Sequence, residues 1–283
     1  MLFYLGTHQP NWLGLTDVPL FVSHRRLMKR KTYPRALGPW ALDSGGFSEL
    51  SMFGEWRTTP EDYVAAVRRY MAAIGKMQWA AIQDWMCEPF IVERTGLSVV
   101  EHQRRTIENY LTLTGMAPEV PWVPVIQGFV RDDYHRHIND YEAAGVDLRA
   151  APVVGVGSIC RRQGSDLAAR IIRSISVRGI NVHAFGIKTL GLRKVGDAIE
   201  SSDSLAWSFN ARRNPPLDGC RHKNCANCLR YALRWRERIV NEGVYAWAPS
   251  PQLTMFADDH APWRDLPATN PIKPDAARPG EEN

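Results

Sequence analysis

The chain has little cysteine, no long apolar run and no overwhelming charge of either sign. Five cysteines among 283 residues are an odd number, and three of them crowd into nine residues, a pattern unlike a disulfide framework. No stretch approaches the roughly 20 apolar residues of a membrane span. Met1-Leu2-Phe3-Tyr4-Leu5-Gly6 has no basic leader and no long apolar core; it reads as a first strand and not a signal peptide, and the expected compartment is the cytoplasm. Glycine and proline, at 21 and 19 residues, are not enriched, which excludes collagen-like and Pro/Gly-rich disordered chains.

What is present fits one large folded domain. Hydrophobic residues make up 45% of the chain, enough for a substantial core. The net charge of +5 is concentrated in clusters: 24–31, Arg161-Arg162, Arg212-Arg213, and Arg230 through Arg238. Basic clusters suit a polyanion, and they also suit plain solvated helix faces.

Eight apolar segments lack polar alternation, as parallel strands buried on both faces do: 2–6, 20–23, 40–43, 79–84, 122–127, 153–158, 182–187 and 205–209. Helical patterns lie between them. Thr59-Pro60-Glu61-Asp62 is a capped helix start, and that helix is expected to stop near Gly75. Further helices are expected over 98–113, 132–144 and 165–177, each ending at a nearby glycine, and a basic helix over 228–241. The alternation predicts an α/β fold, a (β/α)8 TIM-like barrel over 1–212. A zinc-binding subdomain with the basic helix over 213–256 is expected to follow, then a Pro-rich, partly disordered tail over 257–283.

Three cysteines crowd into Cys220-Arg221-His222-Lys223-Asn224-Cys225-Ala226-Asn227-Cys228. Cys220, His222, Cys225 and Cys228 supply four nitrogen and sulfur ligands, the set zinc prefers, and four protein ligands leave no open position, so the expected zinc is structural. A more distant histidine is the alternative fourth ligand; His260 is the only one after the cluster. Cys87 and Cys160 read as reduced thiols in or near the core. The metal segment would pin the basic helix, where Arg230, Arg234, Arg236 and Arg238 could meet phosphates and Trp235 could pack beneath.

Barrel chemistry sits at the C-terminal ends of strands. The polar residues expected there are Asp43, Asp84, Gln127, the glycines Gly155 and Gly157, Lys188, and Asp203, placed at the opening of the last strand. A lone Asp at a strand end is commonly a turn or cap residue. Three at one mouth suit glycosidic chemistry, with one carboxylate attacking an anomeric carbon and another protonating the leaving group.

Asp43-Ser44-Gly45-Gly46-Phe47 resembles the Asp-Ser-Gly-Gly-aromatic signature of tRNA-guanine transglycosylases. Asp84, Gln127-Gly128, Gly155 to Gly157, Phe185-Gly186, Asp203 and the cysteine cluster follow in the matching order. The compact Cys-His-Cys-Cys spacing and the absence of room for a further RNA-binding domain make the chain most similar to the DpdA family of 7-deazaguanine DNA transglycosylases, in its small phage-type form. That resemblance implies Asp203 as nucleophile on C1′, with Glu200 as fallback, and Asp43 as general acid/base. It implies Ser44, Asp84, Gln127 and the backbone at Gly155 and Gly157 around the base, with Phe47 and Phe185 sandwiching it. Arg212, Arg213, Arg230 and Arg234 are the expected nucleic-acid contacts. The implied substrates are DNA and a free 7-deazaguanine such as 7-cyano-7-deazaguanine (preQ0). The tRNA version of the exchange, and an inactive zinc-containing nucleic-acid-binding subunit, are the alternatives. No membrane partner is expected, and the resemblance leaves a homodimer open.

Overall fold

Short apolar runs become parallel strands throughout. The computed structural model describes residues 1–162 and 164–241. The strands are β1 (Leu2–Thr7), β2 (Leu20–Ser23), β3 (Trp40–Asp43), β4 (Met77–Ala81), β5 (Trp122–Val123), β6 (Val125–Ile126), β7 (Val154–Val156), β8 (Val182–Ala184) and β9 (Ser201–Ser204). Their order in the sheet is β5-β4-β3-β2-β1-β9-β8-β7-β6, every pair parallel.

The two ends of that order are one strand. Pro124 separates β5 from β6, and it has no N–H to give to a ladder. Trp122 pairs with Ala80 of β4 on one side, and Val125 pairs with Gly155 of β7 on the other. The Pro124 carbonyl still accepts from Gly155 N–H at 2.9 Å. Nine assigned strands therefore make an eight-stranded α/β barrel, as the sequence predicts.

One strand was misplaced by hydropathy. The segment 205–209 is not the last strand: Ala206–Arg213 is a helix with Trp207 fully buried. The strand is Ser201–Ser204, four buried polar residues that carry no apolar signal. Their hydroxyls are satisfied inside the protein; Ser202 Oγ lies 2.9 and 2.8 Å from the Ala184 and Ile187 carbonyls. Asp203 is thus not at the opening of this strand but its next-to-last residue, close to the C-terminal mouth.

Alternate strand residues face the barrel interior. Tyr4, Phe21, Ala41, Trp79, Ala81, Val123 and Val153 form that inner cluster, while Phe3, Leu5, Leu20, Val22, Trp40 and Leu42 belong to the larger core under the helices. Asp203 lies opposite Tyr4 in register, and Asp43 is two residues beyond the inward Ala41. Both acids inherit the inward direction.

The helices begin where the caps require. Thr59 Oγ1 accepts from Asp62 N–H at 3.2 Å at the start of Pro60–Ile74, which stops at Gly75. Ser98 and Ser165 cap Val99–Met116 and Asp166–Ser176 in the same way. Gly115 does not end its helix as expected; it lies inside it. Arg131–Ala143 and Leu229–Asn241 complete the expected set. No helix among the described residues is long and apolar enough to cross a membrane. The Pro-rich tail expected over 257–283 and His260 lie outside the described residues.

Candidate active site and metal centre

Asp43 ends β3, where Gly45 at φ +85° turns the chain into the helix Gly46–Phe53. A side chain at Gly45 would also meet Arg25 Cγ at 2.6 Å, so both conformation and space select glycine. Ser23 and the Gly45 backbone hydrogen-bond the Asp43 carboxyl, yet burial raises its pKa, and the charge of Asp203 adds to the rise. Asp203 Oδ1 accepts from Gly186 N–H at 2.9 Å and lies 3.4 Å from His183 Nε2. His183 is fully buried, and its Nδ1 lies 2.8 Å from Ser201 Oγ. A serine proton given to Nδ1 leaves the hydrogen on Nε2, facing Asp203. Glu200 stands before β9, beside Leu2, Pro121 and Pro152 at the other end of the barrel, so the structure removes it as a fallback nucleophile.

Asp84 lies three residues past β4, and burial raises its pKa to about 7, with Asp43 and Glu88 adding to the rise. It accepts from Gln127 Nε2 and, at 3.4 Å, from Ser44 Oγ. Ser158 Oγ then lies 2.6 Å from Gln127 Oε1 and 2.7 Å from Glu88 Oε2, and accepts from Cys87 N–H at 2.8 Å. Burial also raises the Glu88 carboxyl. The two glycines of the Gly-x-Gly segment serve this wall. A Cβ on Gly157 would sit 2.2 Å from Gln127 Nε2, and one on Gly155 would sit 2.5 Å from the Phe185 ring.

Phe185 is half-buried against Phe21, Trp79 and His183. Phe47 stands at the rim, 44% exposed, with its ring 6.1 Å from that of Phe90. Arg161 covers both rings, at 5.4 and 4.5 Å from their centroids. The two aromatics expected to form a sandwich therefore pack on different partners, one within the barrel and one at its edge. Lys188 is the half-exposed residue preceding the helix Thr189–Val195.

The four expected metal ligands come together. One donor atom each from Cys220, His222, Cys225 and Cys228 lies within 4.8 Å of all the others. Donors around a tetrahedral zinc sit roughly 3.3–3.8 Å apart, so a small contraction closes the shell. Leu217 N–H donates to Cys225 Sγ at 3.3 Å, and Arg230 donates to Cys220 Sγ at 3.2 Å, as partners that orient metal ligands do. The cluster can hold a metal ion such as zinc.

The basic residues divide. His24 is buried against Tyr70, and Arg25 pairs with the buried Glu49, so part of the 24–31 cluster is structural. Arg230 is exposed but committed to the Asp218 carbonyl and Cys220, and Arg236 donates to the Phe3 carbonyl. Trp235 packs on Phe3 at 5.9 Å, under the helix as expected. Arg212, Arg213 and Arg234 are exposed. Cys87 and Cys160 are free thiols, the first buried.

Glu88, Ser158, His183 and Glu49 were not singled out from the sequence. Ser158 adjoins the Gly-x-Gly segment and could have been read with it. Glu88 carries no signal in one dimension.

Fold and site define the class: an α/β barrel with an acid-lined C-terminal mouth and a candidate zinc knuckle after the last strand. The family model for DpdA, DeoxyPurine in DNA protein A, matches residues 1–273, and the chain belongs to that family. Membership implies a transglycosylase. No curated protein matches the chain.

Proposed function

We propose that the protein exchanges guanine in DNA for a 7-deazaguanine base, such as 7-cyano-7-deazaguanine, through a covalent nucleoside ester on Asp203. The observation that carries this reading is that Asp43 and Asp203 stand at inward-facing positions at the C-terminal ends of their strands, beside a wall that offers a buried carboxyl at Asp84.

Asp203 Oδ1 is held by Gly186 N–H and faces His183, so Oδ2 is the attacking oxygen. It forms a bond to C1′ as the C1′–N9 bond of guanine breaks. Asp43, whose carboxyl burial favours the protonated form, gives its proton to the departing base. It then takes a proton from the incoming base, which attacks C1′ and releases Asp203 as carboxylate. Ionised Asp84 accepts from the ring N–H and exocyclic amine. Phe185 provides an apolar platform, and Phe47 closes from the rim over a base taken out of the helix. The Cys-His cluster holds zinc away from this chemistry and fixes the basic helix on β1. Arg212, Arg213 and Arg234 face solvent where phosphates would pass.

Incubation with labelled guanine or 7-cyano-7-deazaguanine and duplex DNA, single-stranded DNA or tRNA tests the reading. Label is expected in DNA. Label entering tRNA alone overturns the DNA assignment, and no label anywhere with the metal bound supports an inactive binding subunit.

A further inference from the structure

The wall behind Asp84 has one more acceptor than its visible protons can serve. Ser158 Oγ is within 2.7 Å of Glu88 Oε2 and 2.6 Å of Gln127 Oε1, and already accepts from Cys87 N–H. A hydroxyl has one proton to give. With both carboxyls ionised, one of those two oxygens would face a lone pair at hydrogen-bonding distance. Turning the Gln127 amide does not help, because its oxygen would then oppose the Asp84 carboxylate.

The count closes in two arrangements, each with one proton on a carboxyl. In the first, Glu88 donates to Ser158, Ser158 donates to Gln127 Oε1, and Gln127 Nε2 donates to ionised Asp84. In the second, Asp84 donates to Gln127 Oε1, the turned amide donates to Ser158, and Ser158 donates to ionised Glu88. One carboxyl O–H bond forms as the other breaks, and no outside proton is gained or lost.

We propose that Glu88 and Asp84 share a single proton through Ser158 and Gln127, and that Glu88 is the positioning residue that makes Asp84 a pure acceptor when a base is bound. A base that presents N–H groups selects the first arrangement. The second offers it an O–H instead and repels it. Burial raises both carboxyls, and the charge of Glu88 disfavours ionised Asp84, as one shared proton requires. Glu88 also faces Cys87, Cys160, Tyr134, Arg161 and Arg162, and Asp84 faces Asp43, Ser44, Tyr63 and Tyr141. The two arginines favour ionised Glu88. They keep the second arrangement within reach, so an empty site can hold the proton on Asp84. Among the described residues Glu88 Oε1 has no hydrogen-bond partner, so the relay leaves through Oε2 alone. What Asp84 reads rests on the proposed base exchange; the shared proton does not.

Infrared difference spectroscopy of the whole chain at neutral pH tests the proton directly. A protonated-carboxyl band other than that of Asp43, recognised because it remains in Asp43→Asn, is expected in the wild type and in Asp84→Asn, and is lost in Glu88→Gln, whose amide mimics the protonated acid. Absence of such a band in the wild type, or its survival in Glu88→Gln, overturns the proposal. Asp84→Asn keeps the test open if Glu88→Gln fails to fold. In base exchange, Glu88→Gln is expected to hold the KM for guanine near wild type and flatten its pH dependence. Glu88→Ala is expected to raise that KM about tenfold, the loss of one buried hydrogen bond, with kcat less affected. Identical pH profiles for wild type and Glu88→Gln would also overturn it. A protein with the band but no exchange activity fails the proposed function and leaves the shared proton standing.

Discussion

The carboxylate mouth and the cysteine knuckle are both clusters of ionisable ligands, and they are built in opposite ways. The knuckle takes its four donors from nine consecutive residues, with the nearby Leu217 N–H aimed at the Cys225 sulfur. The mouth takes Asp43, Asp84, Gln127 and Asp203 from strands far apart in sequence, and closure of the barrel brings them together. Burial raises the carboxyls of Asp43 and Asp84, which suits Asp43 as a proton donor and opposes the ionised Asp84 that the proposed chemistry needs. A metal bound at the knuckle would instead stabilise the fold. One region is assembled against the ionisation of a buried carboxyl; the other is a place where a bound metal would add stability.

The largest expected effect is at Asp203. Asp203→Asn keeps the shape and the Gly186 contact but removes the nucleophile. Base exchange should fall at least roughly 10³-fold, and no covalent nucleoside adduct should be trapped, while the melting temperature changes little. An adduct that persists would place the nucleophile elsewhere and end the contrast between the two regions. Next comes Cys225→Ser, or removal of metal by a chelator. Cys225 is fully buried, and structural zinc in small fingers contributes roughly 10–16 kcal/mol at neutral pH. Proteolysis should then open the segment carrying Trp235 and Arg236. An unchanged melting temperature after chelation would show that the knuckle is not a stabilising element.

Arg230→Ala sharpens the division on the knuckle side. Arg230 is held by the Asp218 carbonyl and Cys220, so its loss should weaken metal retention by about 10–100-fold. A phosphate role predicts something different: a drop of about one in the salt slope of DNA binding with metal retention intact. Competitive metal titration beside salt-dependent binding separates the two.

Locality also decides what the sequence discloses. Cys225-x-x-Cys228 is recognisable because ligand spacing is a property of adjacent residues. The strand 40–43 and the cap at Thr59 are recognisable because apolar runs and capping residues act locally. Ser201–Ser204 escapes because its stability comes from register and from hydroxyl partners on β8 and beyond, not from its own hydropathy. Glu88 escapes for the same reason: only the fold places it against Ser158, 70 residues away. His183 hides within an ordinary strand pattern, and only the pairing of Gly155, His183 and Ser201 across three strands shows that it faces Asp203. The basic cluster at 24–31 misleads in the other direction, since the buried Glu49 claims Arg25.

The smallest expected effect separates chemistry from stability at a single residue. The Asp84 carboxyl moves from an ordinary value of 3.8 to about 7 in the folded protein. Its folded form holds a proton that the unfolded chain releases as pH rises above 3.8. The stability tied to that proton is fully present below 3.8, declines as pH rises through about 7, and is absent above it. Asp84→Asn keeps an acceptor for Gln127 Nε2 and cannot ionise. It should therefore gain stability over the wild type steadily as pH rises from about 4 to 7, while base exchange is lost. Denaturation of both proteins across pH 4–9 measures the difference. Parallel stability curves would mean that Asp84 is not under electrostatic stress, and the mouth would then resemble the knuckle in stabilising the fold it belongs to. Diverging curves with lost activity would show that the residue proposed to read the base is held in place at the expense of the fold.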